Sequence, residues 1–160
     1  MLSFSGATAE EARLKVAGYV ADLRQENVGD EKTHHIGLAS RRGLIFLEKG
    51  DIAIYRDWQT FDSDADKLER KARGYGLILY PDGSSTLFEF QETATSQLPW
   101  WFARGRTDVN GKITYIKGTG RFQGIHGTGS YTGRGITPYA AGAETSGDFF
   151  LDFQVDYDLP

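Results

Sequence analysis

The spacing of apolar positions along the chain changes near residue 30. In TAEEARLKVAGYVADLRQEN, residues 8 to 27, Leu14, Ala17, Val20 or Ala21, and Leu23 or Arg24 recur at roughly helical intervals, and Thr8 and Glu11 stand at capping-box spacing. The pattern predicts one amphipathic helix over about residues 9 to 26, stopped by Gly29, so residues 1 to 30 read as an N-terminal helical segment. Beyond it the period falls to two. Alternating or wholly apolar runs predict strands over about 34–39, 43–48, 52–60, 74–80, 85–93, 101–108, 112–117, 127–135 and 148–158. Turn residues punctuate them at Lys49-Gly50-Asp51, Pro81-Asp82-Gly83 and Asn110-Gly111. Asn-Gly suits a two-residue hairpin turn in which both central residues take positive φ, and Pro-Asp-Gly suits a type I turn closed by a glycine bulge. Successive hairpins imply an antiparallel meander, and closing it removes the exposed edges of an open sheet. The predicted fold is mostly β: a single closed antiparallel eight-stranded barrel over residues 31–160, preceded by the helix.

Parity within the strands nominates the interior. In GDFFLDFQVDYDLP, Phe149, Leu151, Phe153, Val155 and Tyr157 share one face, while Asp152, Gln154, Asp156 and Asp158 share the other. In DIAIYRDWQT, Ile52, Ile54 and Trp58 share a face with Arg56, and in STLFEFQET, Phe88 and Phe90 share a face with Glu92. The apolar face is read as the inner one, so Arg56 and Glu92 are expected to point into a largely apolar barrel, unless either sits at a barrel rim or a bulge flips its parity. There they serve either as the polar handle of a ligand pocket or as a structural ion pair.

Composition narrows the chemistry. At 160 residues the chain fits one domain with a substantial core. Its 18 basic and 22 acidic residues are interspersed, giving a net charge of −4 and no basic stripe, so neither nucleic acid nor an anionic membrane is an expected partner. The absence of Cys excludes disulfides and thiolate chemistry. MLSFSGATAEEARLK lacks the basic and apolar regions of a secretory signal, and no segment approaches membrane-spanning length, which suits a soluble, cytoplasmic protein unless a leader has been removed. DSDADKLERKAR has Lys67 and Arg73 where a calcium loop needs Gly and Glu. His34 and His35 are adjacent and face opposite ways in a strand, leaving His126 alone, so no metal site is expected. Ser130 is preceded at two residues by Thr128, so there is no nucleophile elbow. GTGRFQGIHGTGSYTG opens with the Gly118 and Gly120 of a dinucleotide loop, but Gln123 stands at its third glycine position and a strand pattern follows. The glycines are therefore expected to bend a sheet, and no cofactor is implied.

ITYIKGTGRFQGIHGTGSYTG resembles the strand, Gly-Thr-Gly-x-Phe-x-Gly-x-x-Gly, strand segment of the allene oxide cyclase-like barrels. ARGYGLILYPDGSS resembles the hairpin before it, and EKGDIAIY and GDFFLDFQVDYDLP are similar to bacterial members of that superfamily. The resemblance covers about residues 34 to 160, and its specific part is the glycine-rich segment. It implies an eight-stranded antiparallel barrel, homodimeric or homotrimeric, around a mainly apolar cavity. Plant relatives cyclise an unstable fatty-acid epoxide, and dirigent proteins with a similar barrel steer radical coupling. The plant cyclases carry a carboxylate on the first barrel strand, whereas THHIGLASRRG has none.

Three functions stay open on this reading. One is an isomerase or cyclase in which Arg56, Glu92 and Tyr75 or Tyr115 stabilise charge or move a proton while confinement folds the substrate. Trp58, Phe88, Phe90, Trp100, Phe102 and Phe153 would contact its apolar small-molecule ligand, with Trp100 and Trp101 forming a lid or, alternatively, core or subunit contacts. The second is a carrier of a hydrophobic ligand. The third is a structural or oligomeric barrel filled by its own aromatic side chains.

Overall fold

The computed structural model describes residues 8–47, 49–97, 106–138 and 147–160. Its eight strands are β1 (Thr8–Asn27), β2 (His34–Phe46), β3 (Ile52–Asp64), β4 (Glu69–Leu79), β5 (Ser85–Ser96), β6 (Thr107–Thr119), β7 (His126–Gly135) and β8 (Phe149–Leu159). Each pairs antiparallel with its sequence neighbour, and β1 also pairs with β8 from Thr8↔Leu159 to Gly18↔Phe149, which closes the barrel.

The N-terminal helix predicted over residues 9 to 26 does not form; that segment is β1, and no α-helix occurs among the described residues. Its alternation is clear at one end, where Leu14 and Val16 are buried and Arg13, Lys15 and Ala17 are exposed. Between Val20 and Asp22 the register with β2 shifts, and this bulge breaks the period of two into spacings that look helical. The barrel supplies β1 with a partner on each side, and that pairing overrides local helix propensity.

The turns at Lys49-Gly50-Asp51 and Pro81-Asp82-Gly83 form as expected, with Gly50 at φ 84° and Gly83 at φ 83°. Asn110-Gly111 is not a turn. The strand β6 runs through it, pairing Thr93 with Asn110 and Glu92 with Gly111. Gly111 is needed for space, because a Cβ there would collide with the ring of Tyr131. The predicted strands 34–39 and 43–48 likewise merge into β2. The glycine-rich run turns the chain from β6 to β7 through a short 3-10 turn, Gly120–Phe122, with Gly120 at φ 61° and Gly124 at φ 81°.

The interior has two zones along the barrel axis. At the end holding the β2–β3, β4–β5 and β6–β7 turns, Phe122 and Ile125 plug the barrel above Tyr80, Phe88 and Tyr115, all buried. At the other end Ala39, Phe61 and Ala72 form a separate small cluster, and among the described residues the barrel is open there.

Candidate functional site

The alternation of β3 sends Ala53, Tyr55, Asp57, Gln59 and Phe61 inward and Ile52, Ile54, Arg56, Trp58 and Thr60 outward. This inverts the expected parity: the more apolar face of β3 is the outer one. Asp57 thus enters the middle of the barrel, where β2 brings Arg41, β5 brings Glu92 and β7 brings Tyr131. Arg41 Nε donates to Asp57 Oδ2 at 2.8 Å, and the Tyr55 hydroxyl donates to the same oxygen. Arg41 Nη2 lies 2.9 Å from Glu92 Oε2 but off the line of a hydrogen bond, so that pairing is chiefly Coulombic. The Tyr131 hydroxyl donates to Glu92 Oε2 at 2.9 Å, and Arg70 Nη2 donates to Glu92 Oε1 at 2.7 Å. The Arg41 guanidinium also lies 5.1 Å from the Phe149 ring centroid and 5.7 Å from that of Phe90.

Two guanidiniums therefore face two carboxylates, of which Arg70 alone keeps appreciable exposure, and the carboxylates differ in consequence. Burial works against the ionised form of both. At Glu92 the fields of Arg41 and Arg70 overcome burial and hold the carboxyl below its usual range. At Asp57 burial prevails over Arg41 and the Tyr55 hydrogen bond, so the carboxyl is raised. For Arg41 the cost of burial is outweighed by Asp57 and Glu92, which keep it charged. Burial first, then the adjacent carboxylates, raises the phenols of Tyr55 and Tyr131. Among the described residues Asp57 Oδ1 and both amide atoms of Gln59 have no hydrogen-bond partner, so the polar interior is incompletely satisfied.

The open end holds a cavity of about 270 Å³. Its walls include Val20, Leu23, Phe61, Leu68, Val109 and Phe149, and Arg41 and Arg70 reach it from the network. The Arg70 side chain is 26% exposed against 4% for Arg41, so Arg70 is the network cation that meets the cavity most openly. Asp64 stands at the rim, bonded to Thr33 at 3.1 Å and paired with Lys67 at 2.7 Å, and the Lys67 contact lowers its carboxyl to about 2.

Of the residues expected from sequence, Glu92 is inside, at the centre of the network. Arg56 is on the outer surface and is not its partner; the structure gives that place to Arg41. Tyr75 and Trp58 are also outside, paired across β3 and β4. Tyr115, Phe88, Phe90 and Phe153 are buried, with Phe88 edge-on to both Tyr115 and Phe153, and none of the four lines the open cavity. Trp100, Trp101 and Phe102 lie outside the described residues. Sequence reasoning missed Arg41, Tyr55, Asp57, Arg70 and Tyr131. A signal for Asp57 existed: with Tyr55 and Gln59 it shares the complementary parity of the run that placed Arg56.

Among the described residues no group of three or more His, Cys, Asp or Glu side chains is arranged to hold a metal ion, and no helix is long and apolar enough to cross a membrane. The sequence matches no protein-family model and no curated protein.

Proposed function

We propose that the barrel binds a small, mainly apolar molecule through its open end, with an oxygen-bearing terminus directed at Arg70 and Arg41. The supporting observation is the buried Arg41–Asp57–Glu92–Arg70 network beside a cavity with largely apolar walls. Ligand sites commonly combine apolar walls with a few polar groups that fix orientation, and about 270 Å³ falls just below their usual range of about 300–1,000 Å³. A guanidinium offers several donors in a fixed plane, which suits a carboxylate or carbonyl oxygen better than a hydrocarbon end.

The test compares decanoate, decanol and decane-1-amine by native mass spectrometry and thermal shift. Decanoate is expected to bind best, and Arg70→Gln is expected to weaken it at least tenfold. Equal retention of all three, or binding unaffected by Arg70→Gln, overturns the reading.

A second reading, an isomerase or cyclase acting by confinement and electrostatic stabilisation, draws its support from Asp57. A buried carboxyl with a raised pKa and one unpartnered oxygen is suited to holding a proton, while Arg41 and Arg70 are suited to stabilising a developing oxyanion. Product analysis after incubation with an epoxide of an unsaturated fatty acid separates this reading from simple carriage. Rearranged product that disappears in Asp57→Asn supports the enzyme, and unchanged epoxide supports the carrier.

A further inference from the structure

The parity of β3 that places Asp57 inside leaves a large apolar surface outside. Leu44, Phe46, Ile52, Ile54, Trp58 and Tyr75 each have between 44% and 54% of their surface exposed. They are not scattered. Phe46 stands opposite Ile52, Leu44 opposite Ile54, and Trp58 opposite Tyr75, so the six share one outer face of β2, β3 and β4, on either side of the Arg42–Arg56 row. At roughly 100 Å² for half of a large side chain, the face presents roughly 600 Å² of apolar surface. That is at the upper end of the largest patch found on monomers, about 300–600 Å², and close to the about 800 Å² that one partner gives to a standard interface.

We infer that a second copy of this chain docks on this face, the same face of each copy meeting the other across a two-fold axis. Burying an apolar face requires an apolar counterpart. Among the described residues, Tyr19, Ile36, Leu38 and Phe150 extend the same outer surface along β1, β2 and β8, with Tyr19 opposite Arg42 and Phe150 reaching Leu44 through Ala17, whereas Val28, Ile116 and Ile136 lie elsewhere and form no comparable surface. Among the described residues the counterpart of sufficient size is the face itself, which makes the contact isologous.

Charge sets a second condition. Arg42 stands directly opposite Arg56 within the face, and neither has an ion pair among the described residues. Like charges directly opposite one another are unfavourable. In a two-fold dimer the four guanidiniums repel at longer range too, partly relieved by the faces of Trp58 and Tyr75, on which guanidiniums stack well. Screening by salt therefore favours this dimer. A head-to-tail contact that set the arginines on an acidic outer patch, such as the Glu11–Asp156 pair across β1 and β8, has the opposite sign, and salt would weaken it.

The test uses analytical ultracentrifugation of the full chain at micromolar concentration. The wild type is expected to sediment as a dimer whose dissociation constant stays level or falls as NaCl rises from about 50 to about 500 mM, where the screening length shortens severalfold. Ile54→Lys combined with Trp58→Glu is expected to give a monomer with an unchanged β far-UV spectrum and a melting temperature close to that of the dissociated wild type. Thr132→Lys, on the outer face of β7, is expected to leave the dimer intact. Because the chain has no cysteine, single introduced cysteines report the contact directly. At Leu44, Arg56 and Tyr75 at least one is expected to yield a disulfide-linked dimer, and Ser130→Cys is expected to yield none. A monomeric wild type, a trimer or larger assembly, a dimer that survives Ile54→Lys with Trp58→Glu, or a tenfold weakening with salt overturns the inference.

Discussion

At the plugged end of the barrel the rings of Tyr80 and Phe122 pack 4.6 Å apart, and Phe122 and Tyr115 each meet Tyr157 edge-on at 6.1 Å. Towards the open end the inward positions alternate between charge and small size: Arg41 precedes Ala39 on the way out along β2, and Arg70 follows Ala72 along β4. The two ends use the same strands and the same alternation with different side chains. The aromatic end removes apolar surface from water and packs it at close range, which is the main favourable contribution to folding. The charged end takes Arg41, Asp57 and Glu92 out of water and partly covers Arg70, and attraction roughly offsets the cost of desolvation. Stability is thus concentrated at one end, while the other keeps cavity space and polar groups at little net gain.

The sharpest way to break this contrast is Arg41→Met. It leaves Asp57 buried with only Tyr55 for support, and about 3–5 kcal/mol of stability should be lost in urea unfolding at neutral pH. The loss should shrink at pH 4, because a protonated Asp57 needs no cation. An equal loss at both pH values would show that packing of the Arg41 side chain, rather than its charge, holds the middle of the barrel.

Phe88→Ala tests the other end. Phe88 is fully buried and meets Phe90, Tyr115 and Phe153, so a cost of about 3–4 kcal/mol is expected, independent of pH between 4 and 8. Decanoate binding at the open end, measured well below the melting temperature, should be retained.

A smaller effect is expected from Arg70→Gln. Its side chain is partly exposed and Glu92 keeps Arg41 and Tyr131, so roughly 1–2 kcal/mol should be lost, alongside the weakened decanoate binding. A loss as large as that of Arg41→Met would mean that the network is one indivisible unit.

The smallest effect belongs to His34 in the strand leaving the β1–β2 turn. Its Nδ1 lies 2.8 Å from Asp30 and its Nε2 3.1 Å from Asp62, and the hydrogen bond to Asp30 chiefly raises its pKa above the usual 6.5. A raised folded pKa gives stability that is complete below about 6.5 and lost as pH rises through the folded value. The urea midpoints of wild type and His34→Gln should therefore differ most near pH 5.5 and converge by pH 9. A difference that grows with pH would contradict the assignment.

The strand β8 was legible in sequence because its two faces are chemically distinct: Phe149, Leu151, Phe153 and Val155 are buried, and Asp156 is exposed. The strand β3 was legible in period but not in direction. Alternation distinguishes its two faces without saying which is inner, and here Ile52, Ile54 and Trp58 are outside while Asp57 and Gln59 are inside. The usual assumption that the more apolar face turns inward therefore displaced Arg56 into the interior and hid Arg41 and Asp57. The strand β1 was misread because one bulge near Val20 destroyed the phase of a 20-residue strand. Gly111 was misread as a turn because Asn-Gly is a local signal, whereas its role is set by Tyr131 on another strand. Glu92 was found because Phe88 and Phe90, with which it shares a face, do point inward.

The seam between β1 and β8 has a consequence for how the chain acquires its structure. Among the eight strands of the barrel, β1 is made before its second partner β8 by the length of the other six, so local hairpins can form early but the ring cannot shut until Phe149–Leu159 is available. Until then β1 and β7 each present an open row of backbone donors and acceptors to any neighbouring chain. Pairings this distant in sequence make folding slow for a chain of this size, and the waiting intermediate is prone to aggregation. Chains arrested just before Phe149 should accumulate on chaperones or in aggregates, whereas full-length chains should pass to the closed barrel in a late, concerted step.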